Sequence, residues 1–148
     1  MFRKLTPDQI KERDTIIFGA EPTDALYRKY GGHNGKDLYS FDDLSLENAE
    51  KLVSLGYLDP ECGHNGSPTA RQMIEFAKRH SDHATVTFGG YACGENRDYQ
   101  WVSIDTITVT IKGQYPNIVA DFANEFVNAD KFNINTGEHE TSMFAWYD

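Results

Sequence analysis

Apolar and polar residues alternate most strictly between Ala84 and Ile111, and the rest of the chain is arranged about that stretch. Ala84, Val86 and Phe88 alternate with Thr85 and Thr87, which predicts one β-strand. Val102 and Ile104 share one parity and Ile107, Val109 and Ile111 the other, which predicts a second, longer strand. A one-residue slip turns a strand over, so the parity change predicts a bulge near Asp105-Thr106. Gly89-Gly90 marks a bulge or a close backbone approach in the first strand. The polar run Cys93-Gly94-Glu95-Asn96-Arg97-Asp98 joins the two as a hairpin.

Helical spacing dominates before this hairpin. Thr6-Pro7-Asp8-Gln9 has the form of a capping box with proline at the first helical position, and Leu5 and Ile10 sit where a hydrophobic staple would close. Gly19 suits the left-handed position that ends such a helix. A short second helix is predicted over 23–30, stopping at Gly31-Gly32. Residues 31–43 read as a loop anchored by Leu38, Tyr39 and Phe41. Ser45 caps a third helix carrying Leu46, Ala49, Leu52 and Val53, and Gly56 ends it. Ser67-Pro68-Thr69 opens a fourth helix, with Ser67 as the cap and Ala70, Met73, Ile74 and Ala77 on its core face. After the central hairpin, Pro116 begins a fifth helix with Ile118, Val119, Phe122, Phe126 and Val127 on its buried side. A last hairpin follows, with Phe132 and Ile134 alternating before an Asn135-Thr136-Gly137-Glu138 turn and Phe144 and Trp146 alternating after it. The fold class expected is therefore α+β: a four-stranded antiparallel sheet of two hairpins, with about five mostly N-terminal helices on one face. At 148 residues the chain is expected to form one domain, 1–148.

The run Asp59-Pro60-Glu61, Asn65 to Thr69, Gly90-Tyr91 and Tyr99 to Ile104 resembles a set of small bacterial proteins of unassigned function. The resemblance covers roughly the middle third of the chain. It implies a fold at most and transfers no catalytic residue.

Composition narrows the function classes. The formal net charge is −9, and residues 113–148 hold one basic side chain (Lys131) against six acidic ones, a net of −5. Nucleic acid is excluded as the expected partner, because phosphate binding draws on clustered lysine and arginine. A basic protein is favoured instead. No run approaches the ~20 apolar residues of a membrane helix, and MFRKLTPDQIKERD has no apolar segment of the secretory kind. A cytoplasmic protein with no membrane partner is expected. Two cysteines, Cys62 and Cys93, are too few for a disulfide framework.

Candidate chemistry is sparse. Gly32-His33-Asn34-Gly35 recurs as Gly63-His64-Asn65-Gly66, which is turn chemistry twice over. Cys62, His64, His80, His83 and Cys93 are the metal-ligating residue types, but a helix between His64 and His80 would hold them about 20 Å apart. His80, His83 and Cys93 remain as a local set, the basis of an alternative reading as a metal- or thiol-dependent hydrolase. Asp130, Asn133, Asn135, Gly137 and Glu138 are oxygen-rich but lack calcium-loop spacing. No metal or cofactor is expected. Tyr91, Tyr99, Trp101 and Trp146, on or beside predicted strands, are the candidate binding residues, since tyrosine and tryptophan are favoured at protein interfaces. The leading expectation is a small acidic protein-binding module of inhibitor, immunity or regulatory type. An accessory subunit of a larger complex is a further alternative.

Overall fold

The computed structural model describes residues 3–63 and 67–148. Helix α1 (Pro7–Phe18) starts as its sequence dictates: the Thr6 hydroxyl accepts the Gln9 N–H, and the Gln9 side chain accepts the Thr6 N–H at 2.9 Å. Leu5 and Ile10 are both buried, and Gly19 ends the helix at φ 68°. Thr23 caps α2 (Asp24–Gly31), and one 3₁₀ turn follows over Gly32–Asn34.

The expected loop is then a strand, β1 (Leu38–Ser45). Its pattern is broken by a bulge. Tyr39 and Phe41 are buried, but register shifts across Asp42-Asp43 and the next buried residue is Leu44, of opposite parity. Asp43 takes φ 57°, where aspartate is among the few non-glycine residues at ease. Two adjacent carboxylates and a slipped parity hide the strand from period-two reading. Ser45 ends β1 and caps α3 (Leu46–Ser54), and Gly56 follows at φ 80°.

Helix α4 (Ala70–Arg79) is capped by Thr69, in a capping box with Gln72, and not by Ser67. The reciprocal pairing of Thr69 with the glutamine three residues on outweighs the Ser-Pro signal. Strands β2 (Ala84–Cys93) and β3 (Val102–Lys112) form the central hairpin, α5 (Pro116–Phe126) crosses back, and β4 (Lys131–Thr136) and β5 (Glu140–Trp146) close the fold. The sheet has five strands, not four, in the order β1-β2-β3-β5-β4, every pair antiparallel.

The parity change in β3 is a bulge at Asp105: Gly89 pairs with Thr106 and Gly90 with Ile104. Gly90 cannot be replaced there, because a Cβ would sit 1.8 Å from the Ser103 carbonyl oxygen. The helices bury one face of the sheet, where Val86, Phe88, Ile107, Val109, Met143 and Ala145 meet Met73, Phe76, Phe122 and Phe126 in one hydrophobic cluster. Phe76 lies edge-on to Phe122 and Phe126, and Phe122 stacks on Phe132. Val127 is 62% exposed, correcting its expected place on the buried side of α5. Of the last strand, Met143 and Ala145 face the helices; Phe144 and Trp146 turn to the other face, and Tyr147 is buried. Among the described residues no helix is long and apolar enough to cross a membrane.

Candidate functional site

A buried polar network supports an apolar groove. Arg13 and Asp14, adjacent on α1, are both 0% exposed. Arg13 Nε donates to Asp14 Oδ1 at 2.9 Å and Arg13 Nη2 to the Tyr39 hydroxyl at 2.5 Å; the Tyr27 and Tyr39 hydroxyls both donate to Asp14 Oδ2. Burial, with Asp14 adding to it, pushes both tyrosine pKa values well above the ordinary phenol range. Arg13 Nη1 also donates to the Gln100 carbonyl at 3.3 Å. Gln100 in turn ties down the N-terminal segment. Its N–H donates to the Arg3 carbonyl at 2.8 Å, its Oε1 accepts the Leu5 N–H at 2.7 Å, and its Nε2 donates to the carbonyls of Gly94 and Arg97.

Residues 3–5 are thereby fixed beside the start of β3 as one wall of the groove. The opposite wall is the α3–α4 connection, from Gly56 to Gly63. The groove is a cavity of about 400 Å³. Its lining is mostly apolar, with Leu5, Val53, Tyr57, Leu58, Pro60 and Trp101, and its polar members are Arg3, Asp59, Cys62, Gln100 and Ser103. The Arg3 guanidinium donates to the Gly56 carbonyl at 3.2 Å and lies 5.7 Å from the Tyr57 ring centre. Burial, and then the hydrogen bond it donates to Glu12, pushes the Tyr57 hydroxyl up to about 12. The Glu61 N–H at 3.0 Å holds the Asp59 carboxyl below its ordinary value. The Ser103 hydroxyl is buried with no hydrogen-bond partner among the described residues.

The floor of this groove is a strand edge that no strand pairs among the described residues. Strand β5 pairs with β3 only over Thr106–Lys112, and the Tyr147 N–H to Asp105 carbonyl bond (2.9 Å) ends that contact. Trp101 O accepts from Cys93 on the β2 side, whereas the Gln100 N–H points to Arg3 on the other. Alternation along an antiparallel ladder then turns the backbone groups of Val102 and Ile104 away from β2. Over those residues, among the described residues, no strand pairs with β3 on that side.

The four aromatic candidates do not converge. Trp101 lines the groove. Tyr91 lines a separate depression with Tyr30, Leu38 and Arg97 and is 38% exposed. Tyr99 is 51% exposed in the β2–β3 connection. Trp146 stands on the helix-free face of the sheet with the Lys131 ammonium 5.4 Å from its ring centre.

The metal and nucleophile set does not converge either. His80 is held by Asp121 (2.5 Å) at the end of α4, and His83 stacks on Tyr115 just before β2 begins. Cys93 is buried at the far end of β2, which at about 3.3 Å per residue is some 30 Å away. Burial raises the Cys93 thiol pKa, against the demand of thiol catalysis. His64 lies outside the described residues. Among those described, no three His, Cys, Asp or Glu side chains are placed to hold a metal ion.

Sequence reading missed the Arg13–Asp14–Tyr39 network and the groove walls. Two adjacent opposite charges on a helix look like surface, and only the contact between α1, β1 and Gln100 buries them. No protein-family model matches the chain, and neither a curated protein nor a solved structure matches it significantly.

Proposed function

We propose that the protein is a non-enzymatic binding module that takes an extended apolar segment of a partner protein into the groove beside β3. The observation that carries this reading is the conjunction of an apolar cavity with a strand edge at Val102–Ile104 that, among the described residues, no strand pairs. A strand edge offers main-chain hydrogen bonds to any extended chain, and pockets beside it select side chains. Trp101 and Tyr57 supply the large rigid surfaces on which such contacts concentrate their energy. The net charge of −9 favours a basic partner by steering its approach.

The test is binding with groove and histidine variants side by side. Trp101→Ser in the groove is expected to reduce capture of partner from the native cell at least ~10-fold, a typical loss for a central aromatic. His80→Ala and His83→Ala are expected to leave it unchanged. Loss of capture in the histidine variants with Trp101→Ser unaffected would overturn the reading.

A further inference from the structure

The helix-free face of the sheet carries a pattern that is complementary to itself. Inter-strand register places Asp42 and Asp43, Gly89, Thr106, Trp146 and Lys131 in one row across all five strands. Three side-chain positions confirm the face: a Cβ on Gly89 would lie 3.3 Å from Thr106 Cβ and 3.5 Å from Asp42 Oδ1, and the Lys131 ammonium lies over the Trp146 ring. The row therefore runs from a carboxylate on edge strand β1, through a position without a side chain, to a large aromatic and then an ammonium on edge strand β4. Asp42 and Lys131 are both exposed, and neither makes an ion pair among the described residues. The next row, Ser45, Thr87, Thr108, Phe144 and Asn133, is uncharged. At the far end Lys112 and Glu140 are register partners and cancel. The charged residues of these rows, Asp42, Asp43 and Glu140 against Lys131 and Lys112, sum to −1 of the chain's net −9, so most of its acidic excess lies off this face.

We infer that this face binds a second copy of the same chain, about a two-fold axis running along β3. A two-fold contact brings each patch against itself, so residue i meets j and j meets i. An axis along β3 exchanges β1 with β4 and β2 with β5, and leaves each row level with its own copy. It lays Lys131 over Asp42 of the other copy, twice. It lays Trp146 over Gly89, where the row has no side chain, and Phe144 over Thr87. Two sheets packed face to face keep their strands within about 30°, which such an axis satisfies. Five strands about 4.8 Å apart and five or six residues long give roughly 400 Å² in projection. Accessible surface exceeds projection, so the interface falls near the ~600 Å² per partner where weak but specific contacts begin. The dimer is therefore reversible and concentration-dependent. It uses a different surface from the groove and does not rest on that reading.

Sedimentation equilibrium on the full chain from ~10 µM to ~1 mM tests it. The expected result is a monomer–dimer equilibrium within that range. Lys131→Asp alone and Asp42→Lys alone each weaken it at least ~10-fold, because each sets like charges against each other. The two changes together in one chain recover much of it, since positions 42 and 131 are again opposite while Asp43 is unchanged. Lys29→Asp on α2, the same change of charge off the sheet, leaves it unaltered. Circular dichroism on each variant confirms folding, and the restoration arm excludes loss by misfolding. A chain monomeric throughout, a dimer indifferent to both single changes, or a double variant no better than the singles would overturn the inference.

Discussion

Asp14 accepts one guanidinium N–H and two phenol O–H groups in a place no solvent reaches. Removing one partner of such a pair leaves the other charge buried and uncompensated, which costs far more than the pair contributes. Asp14→Ala is expected to destabilise the protein by about 3–5 kcal/mol in urea unfolding, with the Arg13→Met, Asp14→Leu double change recovering much of the loss. The two cysteines separate in the same way by environment. Cys62 is exposed on the groove wall, and Cys93 is buried with its pKa raised by burial. Alkylation of the native protein at pH 8 should modify Cys62 alone, and Cys93 only after denaturation, as peptide mapping would read. The sequence suggests one semi-exposed and one buried thiol but not which is which, and Arg13-Asp14 reads as surface, because the groups that bury these residues come from elsewhere in the chain.

Elements were legible where the signal is local and hidden where it is not. The α1 capping box, the fifth helix and both hairpins follow from spacings within a few residues. The bulge at Asp105 was also legible, because a parity change inside one strand has no other explanation. Strand β1 was hidden by the same device working at Asp42-Asp43, where too few apolar residues remain on each side to show two phases. The start of α4 turns on which hydroxyl has a glutamine three residues on. Thr69→Ala should cost about 1 kcal/mol, and Ser67→Ala less, in thermal or urea unfolding. Helices α4 and α5 are clasped by Arg79 and His80 on Asp121, with Arg79 also on Glu125. Burial pushes the Asp121 pKa up, but the bonds from His80 and Arg79 outweigh it and the net shift is downward. A carboxyl whose pKa is lower folded than unfolded stabilises above the unfolded value, about 3.9, and loses that stabilisation as pH falls through the folded value. Asp121→Asn should therefore flatten the fall in unfolding free energy below about pH 4 and lower stability above it.

At the scale of the molecule, the sequence names residues suited to binding but not their grouping. Of Tyr91, Tyr99, Trp101 and Trp146, Trp101 lines the groove, Trp146 and Tyr91 project to the helix-free side of the sheet on different strands, and Tyr99 lies in the β2–β3 connection. Long-range pairing decides this: β5 ends at Trp146, Gln100 pins residues 3–5, and among the described residues no strand pairs the edge between them. His80, His83 and Cys93 look adjacent in a list of residues and are separated by the length of a strand.

The most direct test of the groove is to select random displayed peptides on the immobilised chain and map the selected ones by backbone-amide chemical shifts. The account predicts extended apolar peptides that shift the amides of Val102 and Ile104 and lose binding to Trp101→Ser. Selected peptides that leave those amides unmoved, or bind Trp101→Ser as well as the parent chain, would contradict it.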